Sequence, residues 1–199
     1  MGKQNIFADL ANCTGSAWGH TRWIADSCCG VGSIGLLCMM VAKAAGAGRL
    51  IAVDTSDYAL RNASALGATH TVNPATEDAR GRVYEIIPEG PDLVVEAAGP
   101  IEAVELMVAL RRRGTKWNLF GITTHEKFEL DGGVTHFMEG RMDASFGTTP
   151  LAMSKAIRLM ETGLIDVEKV ISHRFPLGRI DEALEVMAGP NRNKVIINP

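Results

Sequence analysis

Cysteine, aromatic side chains and net charge are all scarce in this sequence of 199 residues. The four cysteines include an adjacent pair, Cys28 and Cys29, and show neither a CxxC pair nor the spacing of a disulfide framework. The net charge of −3 gives no basic excess, which argues against a nucleic-acid-binding protein. The most apolar stretch, residues 34–47, is too short to cross a membrane and contains Lys43. We therefore expect neither nucleic acid nor a membrane as a partner.

What remains is the composition of an ordinary globular protein, with 46% hydrophobic and 22% charged residues. A chain of this length can bury one sizeable core, so a single domain is expected. The first residues, Met-Gly-Lys-Gln-Asn, lack the apolar segment of a secretory signal. Together with the unpatterned cysteines, this predicts a reducing, cytoplasmic location.

Short apolar runs alternate with longer segments of helical period, which is typical of βαβ units and a parallel sheet. Strands are predicted at residues 50–53, 69–72, 93–96, 116–120, 142–146 and 195–197, and helices at 34–45, 57–66, 77–87, 101–113, 151–161 and 180–187. A first strand at 23–29 fits poorly, because Asp26 and Ser27 interrupt its apolar pattern. The continuous apolar strands favour a sheet that is buried on both faces. We predict the α/β class, as a doubly wound parallel sheet (Rossmann fold) in three layers.

The residues Gly30-Val31-Gly32-Ser33-Ile34-Gly35 form a GxGxxG motif between an extended segment and a helix. In such a turn the first glycine permits the tight bend, the second lets the backbone approach a pyrophosphate, and the third lets the helix pack closely on the strand. The N-terminus of the helix offers N–H groups and a positive dipole end to the phosphates. Gly30, Gly32, Ser33, Ile34 and Gly35 are therefore candidate cofactor-binding residues.

Asp54 ends the next strand, 19 residues after Gly35. This is close to the spacing of about 20 residues expected for the acid that holds the ribose hydroxyls of a dinucleotide. A carboxylate at this place repels a 2′-phosphate, and no arginine follows immediately. The sequence therefore favours NAD over NADP.

Small residues follow two further strands, as Ala97-Ala98-Gly99 and as Gly121-Ile122-Thr123. Such turns leave room for a flat ring and expose backbone groups to it. Because the carboxyl ends of parallel strands form the ligand crevice, Ala98 and Gly121 are further candidates for cofactor contact. A plain strand-to-helix turn explains each of them equally well.

The chain resembles the cofactor-binding half of a medium-chain dehydrogenase/reductase, the superfamily of the zinc-type alcohol dehydrogenases. The segments that carry the resemblance, in chain order, are GVGSIGLLCMMVAKAAGAGRLIAVD, ALGATHTVNP, DLVVEAAG, LRRRGTKWNLFGI, ISHRFPLGRIDEALEVMAG and NKVIINP. The resemblance implies that Gly30, Gly32, Gly35, Asp54, Ala98 and Gly121 hold the cofactor. It further implies that residues 1–25 are a helix or linker remnant of the catalytic domain. Residues 26–199 are then the NAD(P)-binding domain with a segment that returns to the catalytic domain.

The resemblance also implies a zinc ligand in full-length relatives, and here the chain departs from the family. Ala11-Asn12-Cys13-Thr14 lies where some members carry the last catalytic zinc ligand, so Cys13 is a candidate for a partial metal site. The motifs of the GroES-like catalytic domain, which holds the other ligands, do not occur. A catalytic zinc needs three protein ligands, so we expect no bound zinc and assign no catalytic residue.

The resemblance implies an oxidoreductase that moves a hydride between an alcohol or carbonyl substrate and the nicotinamide, if a catalytic domain is supplied. For this chain alone we expect cofactor binding without efficient turnover. Two alternatives stay open: a methyltransferase that uses S-adenosylmethionine, and a non-catalytic nucleotide-binding or assembly module. The strand at Met142–Phe146 should form the edge of the sheet, and such edges pair between subunits in the family, so a homodimer is predicted.

Overall fold

The computed structural model describes residues 25–123, 127–144 and 146–199, and of residues 25–29 the backbone only. The strands are β1 (Ala25–Cys29), β2 (Arg49–Val53), β3 (His70–Val72), β4 (Leu93–Glu96), β5 (Lys116–Leu119), β6 (Arg141–Ala144), β7 (Ile171–Pro176) and β8 (Lys194–Asn198). The helices are α1 (Ser33–Ala44), α2 (Asp57–Leu66), α3 (Ala79–Ile86), α4 (Ile101–Ala109), α5 (Gly132–Phe137), α6 (Pro150–Glu161) and α7 (Ile180–Ala188). Among these residues no helix is long and apolar enough to span a membrane.

Six strands form one parallel sheet in the order β3-β2-β1-β4-β5-β6. The first strand, β1, lies near the middle of the sheet. β2 and β3 follow on one side of β1, and β4, β5 and β6 follow on its other side. This is the doubly wound order of a Rossmann fold, and it places a switch point between β1 and β4. The predicted fold class is confirmed, and β6 lies at one edge of the sheet as expected.

The sheet is covered on both faces, which gives three layers. On one face, Leu50, Ala52, Leu93 and Val95 pack in a core with residues of α1, α2 and α6. On the other face, alternate residues of the same strands pack against α3 and α4 in a second core around Trp117. Successive side chains of a strand point to opposite faces, so a strand buried on both faces reads as a continuous apolar run.

Helix ends follow local chemistry where the sequence supplies it. Ser56 caps α2 by accepting a hydrogen bond from the N–H of Ala59, and Gly67 ends the same helix in the left-handed region at φ 112°. The predicted helix at 101–113 is shorter, because Leu110 is extended and ends α4. A short helix that the pattern did not predict, α5, begins where Asp131 accepts the N–H of Val134.

The C-terminal segment forms a unit of its own at the side of the large sheet. β7 and β8 pair in parallel as a separate two-stranded sheet, joined by α7. Ile165, Val170 and Ile196 bury this unit against the core on the α1 side. The segment predicted to return toward a catalytic domain therefore packs against the core on the α1 side without joining the large sheet.

Candidate functional site

The strands of the large sheet end at a common level. Their last residues are Cα partners: Cys29 with Val53 and Glu96, Val53 with Val72, and Glu96 and Ala144 with Leu119. Every residue that directly follows these strands therefore lies along one edge. Gly30, Asp54, Ala98 and Gly121 all come within two residues of a strand end. The fold brings these four predicted site residues to the same crevice, on both sides of the switch point.

Gly30 occupies a position that only glycine can take. Its φ is 86°, in the left-handed region, and its N–H donates to the carbonyl of Val53 at 2.8 Å. An added Cβ would lie 2.7 Å from both Cβ and N of Ala98, well inside van der Waals contact. The glycine turn after β1 thus touches the turn after β4. The predicted role of Gly30 in a tight turn agrees with this geometry.

The remaining residues of the motif form the start of α1. Gly32 is the N-cap, is exposed, and has no atom within 4 Å of the place where a Cβ would stand. Its carbonyl accepts the N–H of Leu36 at 2.9 Å, the first bond of the helix. Ser33 and Ile34 are half-buried, and Gly35 is buried against the sheet. A bare, open helix N-terminus of this kind can accommodate an anionic group.

Asp54 lies beside this turn with both carboxylate oxygens engaged. Oδ2 accepts the N–H of Val31 at 2.8 Å, and Oδ1 accepts the N–H of Ser56 at 2.9 Å. Asp54 is half-buried, so part of its surface stays accessible. A carboxylate oxygen has two lone pairs, and one on each oxygen remains for a further donor such as a ribose hydroxyl.

The turns after β4 and β5 are also in contact through glycine. A Cβ on Gly99, whose φ is 99°, would lie 2.6 Å from the carbonyl oxygen of Ile122. One on Gly121 would lie 2.6 Å from Oε2 of Glu96 and 2.8 Å from the N of Gly99. A side chain on either glycine is therefore excluded. Backbone atoms and the carboxylate of Glu96 fill the space where the two turns meet.

Glu96 is a residue of the crevice that the sequence analysis did not single out. It is 0% exposed, and its Oε1 accepts the N–H groups of Ala98 at 2.7 Å and Gly99 at 2.6 Å. Its backbone carbonyl accepts the N–H groups of Phe120 and Gly121. Glu96 thus ties the turn after β4 to the turn after β5. The available signal was an acid that ends a parallel strand, the same signal that identified Asp54.

The proposed zinc chemistry has less support in the geometry. Cys13 and the predicted linker lie outside the described residues. Among the side chains that the structure describes, in residues 30–123, 127–144 and 146–199, no three from histidine, cysteine, aspartate or glutamate lie together as metal ligands. The described residues therefore do not supply a zinc site, and we derive no step through zinc.

Comparison with known proteins agrees with the geometry. Residues 33–162 match the family model described as zinc-binding dehydrogenase. The L-threonine 3-dehydrogenase of Bacillus subtilis (strain 168) is 33% identical over 178 residues, which cover 85% of this chain and 50% of that enzyme. Sorbitol dehydrogenase of the same organism is 29% identical over 177 residues, covering 82% of this chain and 49% of that enzyme. The chain spans about half the length of the curated relatives it matches.

Two solved structures show the same architecture. A protein of Sinorhizobium meliloti 1021, assigned to the zinc-binding dehydrogenases and solved bound to NADP, has a TM-score of 0.86 at 30% identity, over 98% of this chain and 58% of that one. Alcohol dehydrogenase from Thermus sp. ATN1 has a TM-score of 0.87 at 25% identity, over 96% and 58%. The resemblance inferred from the ordered motifs is confirmed. The chain belongs to the zinc-binding dehydrogenase family, of which it contains the Rossmann nucleotide-binding domain.

Proposed function

We propose that this chain binds NAD(H) across the carboxyl ends of β2, β1, β4 and β5. The observation that carries the proposal is the hydrogen bond from Val31 to Asp54, which holds the carboxylate beside the glycine turn, where it could accept ribose hydroxyls. Gly32 adds an open helix N-terminus, and Gly121 lets the turn after β5 lie directly against Glu96 and the turn after β4. These residues fit a dinucleotide. Each half of a dinucleotide needs a site for its ribose and its ring, and the pyrophosphate lies between the two halves.

Each part of the crevice has a distinct task in this proposal. The first turn of α1, with Gly32, Ser33 and Ile34, binds the pyrophosphate through N–H groups and the positive end of the helix dipole. Asp54 accepts the hydroxyls of the adenosine ribose. The turns at Ala98 and Gly121 contact the nicotinamide half. When bound, the cofactor supplies hydride acceptance or donation, and the protein contributes its orientation and the exclusion of water.

The preference for NAD over NADP follows from the charge of Asp54. A carboxylate that accepts both ribose hydroxyls loses the bond to the 2′-hydroxyl when a 2′-phosphate replaces it, and it also repels the phosphate. The Sinorhizobium relative was solved with NADP, so membership of the family alone does not favour either cofactor. The identity of the residue at position 54 carries the argument.

We further propose that the complete reaction is hydride transfer between an alcohol or carbonyl compound and the nicotinamide. The relatives named above are dehydrogenases of threonine, sorbitol and alcohols, and this chain spans about half of each. A catalytic half would bring the substrate site, with Cys13 as one partial zinc ligand. For the chain by itself we expect cofactor binding without efficient turnover, and its substrate class stays open.

Calorimetric titration of the purified chain with NADH, NADPH and S-adenosylmethionine tests this proposal. We expect NADH to bind and NADPH to bind much more weakly. Tight binding of S-adenosylmethionine without NADH would reverse the assignment in favour of a methyltransferase. Binding of none of the three would leave a non-catalytic assembly module. Formation of NADH from NAD and an alcohol by the chain alone would contradict the expected lack of turnover.

The homodimer and the cytoplasmic location belong to the same proposal. In the described part of the chain β6 pairs with β5 on one side and forms the edge of the sheet on the other. An edge strand offers unpaired backbone groups to a second copy. Residues near this edge, among them Phe137 and Phe146, are large, apolar and exposed. Burial of these side chains against a second copy would add a hydrophobic contribution to the edge pairing.

A further inference from the structure

The carboxylate of Glu96 is fully buried and only half satisfied. Oε1 accepts two backbone N–H groups, whereas Oε2 has no hydrogen-bond partner among the described residues. A buried polar atom without a partner is costly and normally has an explanation in function or in ligand binding. The proposed cofactor roles of Asp54 and the glycine turn do not use this atom.

The unpartnered oxygen lies directly under the crevice. Oε2 is 2.6 Å from the point that a Cβ on Gly121 would occupy, so the glycine leaves the space that this buried oxygen fills. Glu96 is the last residue of β4, paired with the last residues of β1 and β5. Glu96 ends β4 and Asp54 follows β2. Because β1 lies between these two strands, the two acids lie on opposite sides of β1.

The position of Glu96 relative to a bound dinucleotide follows from the sheet order. Asp54 follows β2 and takes the adenosine ribose, and the glycine turn after β1 takes the pyrophosphate. The other half of the cofactor must then extend over β4 and β5, where Glu96 lies beneath Gly121. The oxidised nicotinamide ring carries a positive charge, and the reduced ring is neutral.

We propose that the Glu96 carboxylate raises the affinity of this crevice for oxidised nicotinamide relative to its affinity for reduced nicotinamide. The inference rests on the proposed NAD(H) site and adds to it the redox form that the charge favours. A charge that water cannot reach is screened far less than one at the surface. We expect this buried charge to change the ratio of the affinities for the charged and the neutral ring about tenfold.

Substitutions can separate the hydrogen bonds that Glu96 accepts from the effect of its charge. Glu96→Gln keeps an oxygen that accepts the N–H groups of Ala98 and Gly99 but removes the charge. Glu96→Asp keeps the charge and shortens the arm that holds the turn. A purely structural role changes the affinities for NAD and NADH together, whereas the charge changes their ratio.

The experiment measures dissociation constants of the full chain and its variants for NAD and for NADH by calorimetry. We expect Glu96→Gln to weaken NAD binding about tenfold more than NADH binding, which equals a shift of about 30 mV in the potential of the bound couple. Glu96→Asp should leave the ratio unchanged. Glu102→Gln is the matched control, because Glu102 is exposed at the start of α4 and the same substitution there removes a screened charge.

Equal weakening of both redox forms by Glu96→Gln would overturn the inference and leave Glu96 as a structural residue. If this variant does not fold, two other measurements test the inference. They are the NAD-to-NADH affinity ratio of Glu96→Asp and the salt dependence of that ratio in the unmodified chain. The NAD-to-NADH ratio should change less than about twofold between about 0.05 M and about 0.5 M salt, since the pyrophosphate contribution cancels and a buried charge is not screened. A ratio that follows the salt concentration would overturn it. Failure of the unmodified chain to bind either form would overturn the proposed function itself.

Discussion

The backbone N–H of Val31 donates a hydrogen bond of 2.8 Å to Oδ2 of Asp54, and this contact joins the glycine turn to the end of the neighbouring strand. Oδ1 of the same carboxylate accepts the N–H of Ser56, the cap of α2. The carboxylate is therefore held in one orientation before any ligand arrives. Such preorganisation reduces the entropy that a ribose hydroxyl must overcome on binding.

Replacing Asp54 by alanine should weaken NADH binding by about 1.5–3 kcal/mol, because a charged acceptor of two hydroxyls is lost. The preference for NADH over NADPH should fall with it, since the repulsion of the 2′-phosphate disappears. Calorimetry with both nucleotides measures these changes. Asp181→Ala is the control, an exposed acid in the first turn of α7. Unchanged NADH affinity in Asp54→Ala would mean that the ribose lies elsewhere.

Replacing Gly30 by alanine should destabilise the chain and abolish cofactor binding. The left-handed backbone costs alanine about 1–2 kcal/mol. Contact of the new Cβ with Ala98 adds about 1–3 kcal/mol of overpacking. Gly163→Ala separates the two effects, because Gly163 has a φ of 71° but open space around it. Urea unfolding should show a loss of about 1–2 kcal/mol for Gly163→Ala, since that substitution carries the backbone cost alone. Similar losses for both variants would contradict the contact between the turns.

The crevice was predictable because its residues carry local signals. A glycine motif before a helix and an acid after an apolar strand are both visible along the chain, and parallel strands bring their ends together without further information. Glu96 carries the same local signal as Asp54, an acid at the end of an apolar strand, but its contacts are not visible along the chain. Its partners are backbone N–H groups two and three residues later, and its burial depends on the neighbouring turn at Gly121.

Elements that depend on long-range pairing were less visible. Asp26 and Ser27 interrupt the apolar pattern of β1, so the sequence predicts this strand only weakly. Its backbone nevertheless pairs with β2 on one side and β4 on the other, which places it inside the sheet. The separate pairing of β7 with β8 joins residues more than twenty positions apart and leaves no local trace. The helix α5 begins with two glycines, which weaken its pattern, although Asp131 was a usable cap signal.

The ion pair between Arg113 and Glu139 provides a test of pH dependence outside the crevice. The two side chains meet at 2.7 Å and are exposed. The hydrogen bond from Arg113 lowers the pKa of Glu139 below its ordinary value of 4.5. Because the pKa is lower in the folded state, the pair stabilises the fold above the unfolded pKa, and this contribution is lost as the pH falls through the folded pKa.

Arg113→Gln should therefore raise the pKa of Glu139 toward 4.5, which carboxyl titration by NMR can measure. Arg179→Gln is the matched control. It removes the partner of Glu182, whose pKa is likewise lowered by a hydrogen bond from Arg179, and should leave Glu139 unaffected. A Glu139 titration that is the same in Arg113→Gln and the unmodified chain would show that the pair does not persist in solution.

The proposed dimer depends on the edge of β6 and the apolar side chains beside it. Phe146 is 98% exposed just beyond the strand, and aromatic residues at the centre of an interface carry much of its energy. If a second copy covers this edge, Phe146→Glu places an unpaired charge in the contact and should weaken dimerisation at least about tenfold. Leu184→Glu is the control, because Leu184 is also exposed and apolar but lies on α7. Light scattering at micromolar concentration should then give a dimer for the unmodified chain and for Leu184→Glu, and a monomer for Phe146→Glu. A monomeric unmodified chain would refute the edge pairing, whereas dissociation by Leu184→Glu alone would move the interface to the C-terminal unit.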